Sequence, residues 1–515
     1  RCPNHLLGDF AFAIWDPRGP RLFGARDHMG MRQLNYCHLP GHIFAFANDS
    51  EALAAHPAIP PRINQARIAD FLDDLEGADF TSTLYAHIRR LPPAHVLVVD
   101  GSGLATHRYW RLTPGPALTL DRDEDYEAAF LTVFTEAVRC RLRSKGPAGS
   151  MLSGGMDSGS IVAVAAQLLA DRGDGPLPTF SAIGPDPDSC PETAAIGVAL
   201  GLPGIAPATV DHRRLDDLLQ ALWRLATATG EPFDEHLTMV RAVYLLARNS
   251  GVKVLLDGVA GDVVLSSGNR VAAQMRRLRF RSAWRDSRGE EAYWKIANYR
   301  FRAFAGGLWV AFVPNAIRRA RRILAWRMAD SAIGRPGVID RDFARRADLR
   351  GRRAIARSFT SQGDLGEAEA RAEAIAHPQL AAARERYDRT AAAVGIEVRD
   401  PFMDIRVIQF CLSLPQDQLQ RCGWPKHLLR RAMKGRLPDS LRWRHGKEHL
   451  GWAFTSRLFD AFPQWSDRLH AAWTALRPYV RSSAHRARPR SDARERQFEL
   501  FILACWLDRQ RPQNH

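Results

Sequence analysis

Residues 153–158 read Ser-Gly-Gly-Met-Asp-Ser, and their types and spacing suit the binding of a phosphate group. The two glycines let a backbone approach an anion with no Cβ in the way. Ser153 and Ser158 add hydroxyl donors. Asp157 is the odd member, because a carboxylate repels phosphate; it fits if it holds a magnesium ion that bridges to the phosphates. No Gly-Lys-Ser/Thr follows, so this is not a Walker loop. A structural glycine turn with chance serines is the plainer alternative. The flanking sequence argues against it.

The elements that must position these residues are legible on both sides. Residues 148–152 are small and apolar, as in a short buried strand, and residues 161–169 are rich in Ala, Val and Leu, as in a buried helix. A strand, a glycine turn and a helix therefore meet at Ser153, Gly154 and Gly155. Unpaired N–H groups and the positive end of a helix then converge on one point. Downstream, residues 179–183 and 252–256 read as strands and 192–200 as a helix. This alternation implies a parallel α/β sheet. Ligands of such sheets sit at the carboxyl ends of strands, which places Ser153, Ile183 and Asp257 around one pocket.

Residues 1–112 have another style. Residues 10–15 and 22–27 read as a strand hairpin over the turn Asp16-Pro17-Arg18-Gly19, with further strands at 42–47 and 95–99 and a short helix at 65–74. A linker rich in Pro, Gly and Asp spans 113–125, and residues 126–515 form the second unit. Residues 270–390 are Ala- and Arg-rich and mostly helical in pattern. Residues 498–510 form an amphipathic helix.

The bulk composition narrows the class. A chain of 515 residues is too long for one small core. Its hydrophobic content of 46% and charged content of 25% are ordinary for a globular protein. No apolar run reaches the ~18 residues that span a bilayer, and nothing resembles a signal peptide. The dispersed cysteines (Cys2, Cys37, Cys140, Cys190, Cys411, Cys422, Cys505) lack metal spacing and point to a reducing, cytoplasmic setting. The net charge is +16, and nearly all of the basic residues are Arg. That excess favours acidic partners: nucleotide phosphates, an acidic peptide or RNA. Lysine occurs only at Lys145, Lys253, Lys295, Lys426, Lys434 and Lys447.

Taken with its context, the 153–158 segment resembles the pyrophosphate loop of the ATP pyrophosphatase superfamily. Residues 7–16, 25–30 and 89–95 are similar to motifs of a glutamine amidotransferase domain of the asparagine synthetase type. Glu-Val-Arg-Asp-Pro-Phe-Met-Asp at 397–404 resembles the Glu-Val-Arg-x-Pro-Phe-Leu-Asp box of the synthetase domain, and residues 426–433 also fit. The resemblance implies an α/β protein: a partial Ntn-hydrolase-like glutaminase β domain, then a parallel-sheet ATP pyrophosphatase synthetase domain with a helical C-terminal region. It implies ATP and Mg2+ as cofactors. Carried over residue by residue, Leu152 and Ile183 line the adenine pocket. Ser153, Gly154, Gly155 and Ser158 hold phosphate, and Asp257-Gly258 lies beside the ATP. Asp157 and Asp262 bind magnesium, and Lys447 is the lysine near the reacting acyl group. Charge builds on the α-phosphate and on the leaving pyrophosphate during adenylation, and these groups answer it.

Two departures shape the functional expectation. The glutaminase resemblance lacks the family's N-terminal Cys, and Cys2 is not in that context, so the chain as written is expected not to hydrolyse glutamine. A half sandwich would also leave an unpaired sheet edge. In addition, Asp257-Gly258-Val259-Ala260-Gly261-Asp262 stands where the family has Ser-Gly-Glu-Gly-x-Asp. The Glu proposed as general base is Val259, so another group, Glu231 or the substrate itself, must take the amine's proton; as a plainer alternative, Glu231 is a helix-end or magnesium-shell carboxylate. Relatives altered at this Glu include β-lactam-forming synthetases and lasso peptide cyclases, and the chain most resembles the latter. The expectation is an ATP-dependent ligase that adenylates a carboxylate and couples it to an amine, closing the macrolactam of a lasso precursor. Its partners would be a peptide or small-molecule carboxylate, with a leader-peptide-binding protein and a peptidase; no membrane and no nucleic acid are expected. The alternatives are a glutamine-hydrolysing asparagine synthetase lacking its N-terminus, a tRNA-modifying enzyme with a pyrophosphate loop, and an inactive peptide-binding scaffold.

Overall fold

The computed structural model describes residues 2–184, 186–188, 190–331, 338–360, 365–446, 450–482 and 491–510. The N-terminal part is built on strands β1 (Ala11–Asp16), β2 (Arg21–Arg26), β3 (Asn35–Leu39), β4 (Ile43–Ala47), β5 (Ile88–Arg90), β6 (His95–Asp100) and β7 (Gly103–Arg108). They form two antiparallel sheets, ordered β1-β2-β6-β7 and β4-β3-β5. The β1–β2 hairpin closes over the expected turn, where the Arg18 N–H donates to Asp16 Oδ1 at 3.1 Å. Strand β1 is an edge of its sheet and leaves Ile14 and Trp15 exposed. Strands β3, β5 and β7 had no counterpart in the sequence reading. They are short, and β7 is mostly exposed, so its apolar alternation is weak.

The second part holds a five-stranded, wholly parallel sheet: β8 (Ala148–Met151), β9 (Leu177–Ile183), β10 (Ile205–Asp211), β11 (Val254–Leu256) and β12 (Glu397–Arg399). The order is β10-β9-β8-β11-β12. The chain therefore grows outward from β8 in both directions, and the order reverses between β8 and β11. A crevice opens at the carboxyl ends of the strands at such a switch point. Leu256 pairs with Ser150 of β8 on one side and Arg399 of β12 on the other, which fixes the level at which the following loops emerge. The helix Asp123–Arg141 begins inside the stretch read as linker, with three acidic residues in its first turn to favour the helix start.

The two parts share one core. A single buried cluster joins Ile68, Leu84 and Tyr85 from the N-terminal part with Phe180, Val243, Phe454 and Trp506 from the other. Buried ion pairs cross the same boundary. Glu385 meets Arg26 at 2.7 Å and Arg90 at 2.6 Å, and Arg352 pairs with Asp70 and Asp79. The C-terminal helix Ser491–Arg509 is tied in by Trp506 Nε1–H, which donates to the Gly230 carbonyl at 3.0 Å.

Candidate active site

Strand β8 delivers its loop at the switch point. The Leu152 N–H donates to the Phe180 carbonyl at 2.9 Å, and the Leu152 carbonyl accepts from Ser181 Oγ at 2.6 Å. Leu152 is thus pinned in the sheet with both backbone groups engaged. Gly154 then takes φ +67, and a Cβ there would lie 2.7 Å from the Ile196 nitrogen in the helix Pro191–Ala199. Only glycine meets both conditions. Gly155 caps the helix Met156–Asp171 without a side chain, so the first-turn N–H groups face the loop. Ser158 Oγ accepts from the Ser153 N–H at 3.1 Å and shares a 2.9 Å hydrogen bond with Ser153 Oγ. The two hydroxyls flank one small pocket of donors.

Strand β11 delivers the second loop. The Asp257 N–H donates to the Arg399 carbonyl at 3.0 Å. Two glycines of this loop press on the first. A Cβ on Gly258 would meet the Asp157 backbone and side chain at 3.1 Å, and one on Gly261 would lie 2.5 Å from the Asp157 carboxyl. The loops are therefore packed backbone to side chain, and Asp262 is carried to the same place as Asp157.

Lys426 shows how close the two carboxylates are. Its ammonium contacts Asp157 Oδ2 and, at 2.5 Å, Asp262 Oδ1. It sits in the left-handed region (φ 55) just before the helix His427–Ala432, only 9% exposed. Burial alone would lower its pKa; the two aspartates outweigh that and hold it above the ordinary lysine value. Two carboxylates that converge on one cation have the spacing and the oxygen ligands a hard divalent ion requires. Among the described residues no group of three or more His, Cys, Asp or Glu side chains is gathered for a metal. A cation here would need further ligands from a bound phosphate.

Beside Lys426 stands an aromatic wall. The Arg430 guanidinium lies 4.9 Å over the Trp424 ring and 5.6 Å over Tyr293, and Trp424 packs 4.5 Å from His445. Tyr293 comes from the Arg-rich helical region, so that region reaches the site's rim. Ile183 ends β9 on the other side, its carbonyl accepting from the His212 N–H at 3.2 Å. Glu231 sits at the start of the short turn Pro232–Leu237 and bears electrostatically on Arg90 and Arg389. Lys447 lies outside the described residues. Sequence reasoning gave no role to Lys426 or Asp400. The signal for the first was present: a lysine in an Arg-dominated chain, inside the 426–433 segment.

The Ser153–Ser158 loop and a glycine-rich aspartate loop thus meet at the switch point of a parallel sheet. Residues 129–508 match the asparagine synthase family, over more than half of the chain. The chain belongs to the asparagine synthase family of ATP-dependent carbon–nitrogen ligases. Residues 1–110 match the glutamine amidotransferase domain. Among relatives, the glutamine-hydrolysing asparagine synthetase 3 of Bacillus subtilis (strain 168) is 25% identical over 455 residues, covering 86% of this chain and 67% of that protein. Asparagine synthetase 1 of the same organism is 24% identical over 457 residues, covering 85% and 66%. The carboxyethyl-arginine beta-lactam-synthase of Streptomyces clavuligerus is 29% identical over 277 residues, covering 50% and 47%. The chain spans about two thirds of the length of the two synthetases. Val259 stands in the Asp257–Asp262 loop, where the motif expected from the sequence carries Glu.

Proposed function

We propose that this asparagine synthase family member adenylates a carboxylate of a peptide and couples it to an amine of the same peptide, closing a macrolactam of the lasso type. The observation that carries the first half is the convergence of Asp157 and Asp262 on one cation beside the Ser153–Ser158 loop. ATP would lie along the carboxyl ends of β8, β9 and β11. Magnesium, held by Asp157 and Asp262, would offset charge on the phosphates. The loop N–H groups and the Ser153 and Ser158 hydroxyls would take the pyrophosphate, and Lys426 would meet the charge that builds as it leaves. The substrate carboxylate attacks the α-phosphorus; pyrophosphate departs with the bonding electron pair and leaves an acyl-adenylate. Lys447 is assigned to the acyl group on the family resemblance.

Val259 supports the second half, because a family member without the Glu must deprotonate its amine by other means. A peptide whose two ends are held in one site needs no ammonia, and proximity supplies much of the rate. The aromatic wall and the Arg-rich helices at the rim suit a peptide more than a free amino acid. A leader-binding protein and a peptidase are the partners this reading implies.

The test is ATP–pyrophosphate exchange with a synthetic linear peptide bearing a free α-amine and an internal Asp, against free L-aspartate. Exchange with the peptide, and a product lighter by one water in the mass spectrum, are the expected results. Exchange driven by free aspartate alone would overturn the macrolactam assignment.

A further inference from the structure

The Asp257–Asp262 loop has two faces. Its glycines, Gly258 and Gly261, press on Asp157 and the phosphate side. Its other residues, Asp257, Val259 and Ala260, line a mostly apolar cavity of about 50 Å³, with Met31, Tyr387 and Val398 among its other walls. A cavity of that size admits a water or the amino end of a substrate.

Asp257 is the unusual member of that wall. It is 5% exposed. Its Oδ1 accepts the Val259 N–H at 3.0 Å, while Oδ2 is buried with no hydrogen-bond partner among the described residues. A buried, half-satisfied carboxylate costs stability unless it has a use. Asp400, which follows β12, lies in the same wall, its oxygens taking the Ala260 and Phe402 N–H groups at 2.9 and 2.8 Å. The other titratable groups facing the pair are Tyr387, Asp388 and Arg384 from the helix Pro378–Ala392, Tyr244 from the helix Thr238–Asn249 and Arg141 from the helix Asp123–Arg141. A carboxylate missing at position 259 is thus present two residues earlier, on the same cavity.

We propose that Asp257 is the proton acceptor for the attacking amine, and that this cavity receives that amine as a primary ammonium group. The proposal rests on the adenylation reading above. Burial, the largest cause, pushes Asp257 up to about 6, and Asp400 to about 8 with Asp257's charge as the second cause. The charge of Asp257 raises Asp400, so the pair holds on to a proton more readily than two free carboxylates. The apolar wall lowers the pKa of an ammonium while it raises that of the carboxylate, so the two approach each other and the proton can pass. The R–NH3+ group gives one proton to Asp257 Oδ2. The freed lone pair attacks the acyl carbon, forming the C–N bond. The C–O bond to AMP breaks and its electrons leave with AMP, whose phosphate takes the second nitrogen proton. Asp257 returns its proton to water once product has left.

The experiment uses the full chain with Asp257→Asn, a near-isosteric change that keeps an acceptor for the Val259 N–H. Whichever carboxylate drives wild-type exchange, the peptide or L-aspartate, is given ATP and magnesium; the amine is the peptide's own or ammonium chloride. Amide formation in the variant should fall about 100-fold, well beyond any loss of exchange. Hydroxylamine, largely unprotonated at neutral pH, should still trap the acyl-adenylate as hydroxamate. Adding Val259→Glu to the variant should restore part of the amide rate. Equal loss of exchange and amide formation without rescue, or an undiminished amide rate, would overturn the proposal. If wild type shows no exchange with either carboxylate, the adenylation reading fails and this proposal falls with it.

Discussion

One ammonium, that of Lys426, stands between the carboxylates of Asp157 and Asp262, and the three groups together carry one net negative charge. Without the lysine, two partly buried carboxylates would face each other, and one would be driven toward protonation. A guanidinium cannot replace it, because its planar fork is wider than the space an ammonium fills. Lys426→Ala is therefore expected to reduce ATP–pyrophosphate exchange about 100-fold, and Lys426→Arg to restore little of it. Both variants should keep a cooperative melt, since the parallel sheet does not depend on this contact. Wild-type exchange in either would remove Lys426 from the site.

At the scale of elements, the site is a meeting of two turns, and each turn's shape is set by glycine. Gly154 is the sharper case, with φ +67 and the Ile196 nitrogen 2.7 Å from any added Cβ. Gly154→Ala should cost about 2 kcal/mol through backbone strain and the displaced helix Pro191–Ala199. The checking measurement is ATP-dependent protection in a thermal shift, which should shrink more than the melting temperature itself. The sequence showed this turn plainly, because a strand, two glycines and a helix lie side by side within residues 148–171 and the hydrophobic pattern changes period across them. It also showed that Ser153, Ile183 and Asp257 belong to one edge. It did not show β10 or β12. Strand β10 is largely solvent-facing, and β12 is three residues long, so neither has a clear alternation. Asp400 follows β12, and its meeting with Asp257 depends on a pairing more than 130 residues apart in the chain, between β11 and β12. No local pattern encodes such a contact, which is why the sequence places Asp257 beside the nucleotide and leaves the amine's proton to Glu231 or to the substrate itself.

Over the whole molecule, buried charge acts in two opposite senses. Glu385 lies between Arg26 and Arg90 at the boundary of the two parts; burial would raise its pKa, but the guanidiniums hold it down at about 2. Its contribution to stability is present above the unfolded carboxylate value and is lost as pH falls toward 2. Asp257 has the reverse sign. Its folded pKa of about 6 exceeds the ordinary 3.8, so the folded state binds a proton the unfolded state has released. That contribution is complete below about pH 4 and is lost as pH rises through about 6. The protein is thus expected to carry an ionised, half-satisfied Asp257 at neutral pH, at a cost of about 3 kcal/mol. Asp257→Asn removes the charge and keeps the shape. Its melting temperature should match wild type near pH 4 and exceed it by a few degrees at about pH 7.5. A variant stabilised yet slow in amide formation is what a strained functional carboxylate produces. Coincident melting curves across that range would mean that Asp257 is already neutral in the folded protein at pH 7, and so unable to accept the amine's proton.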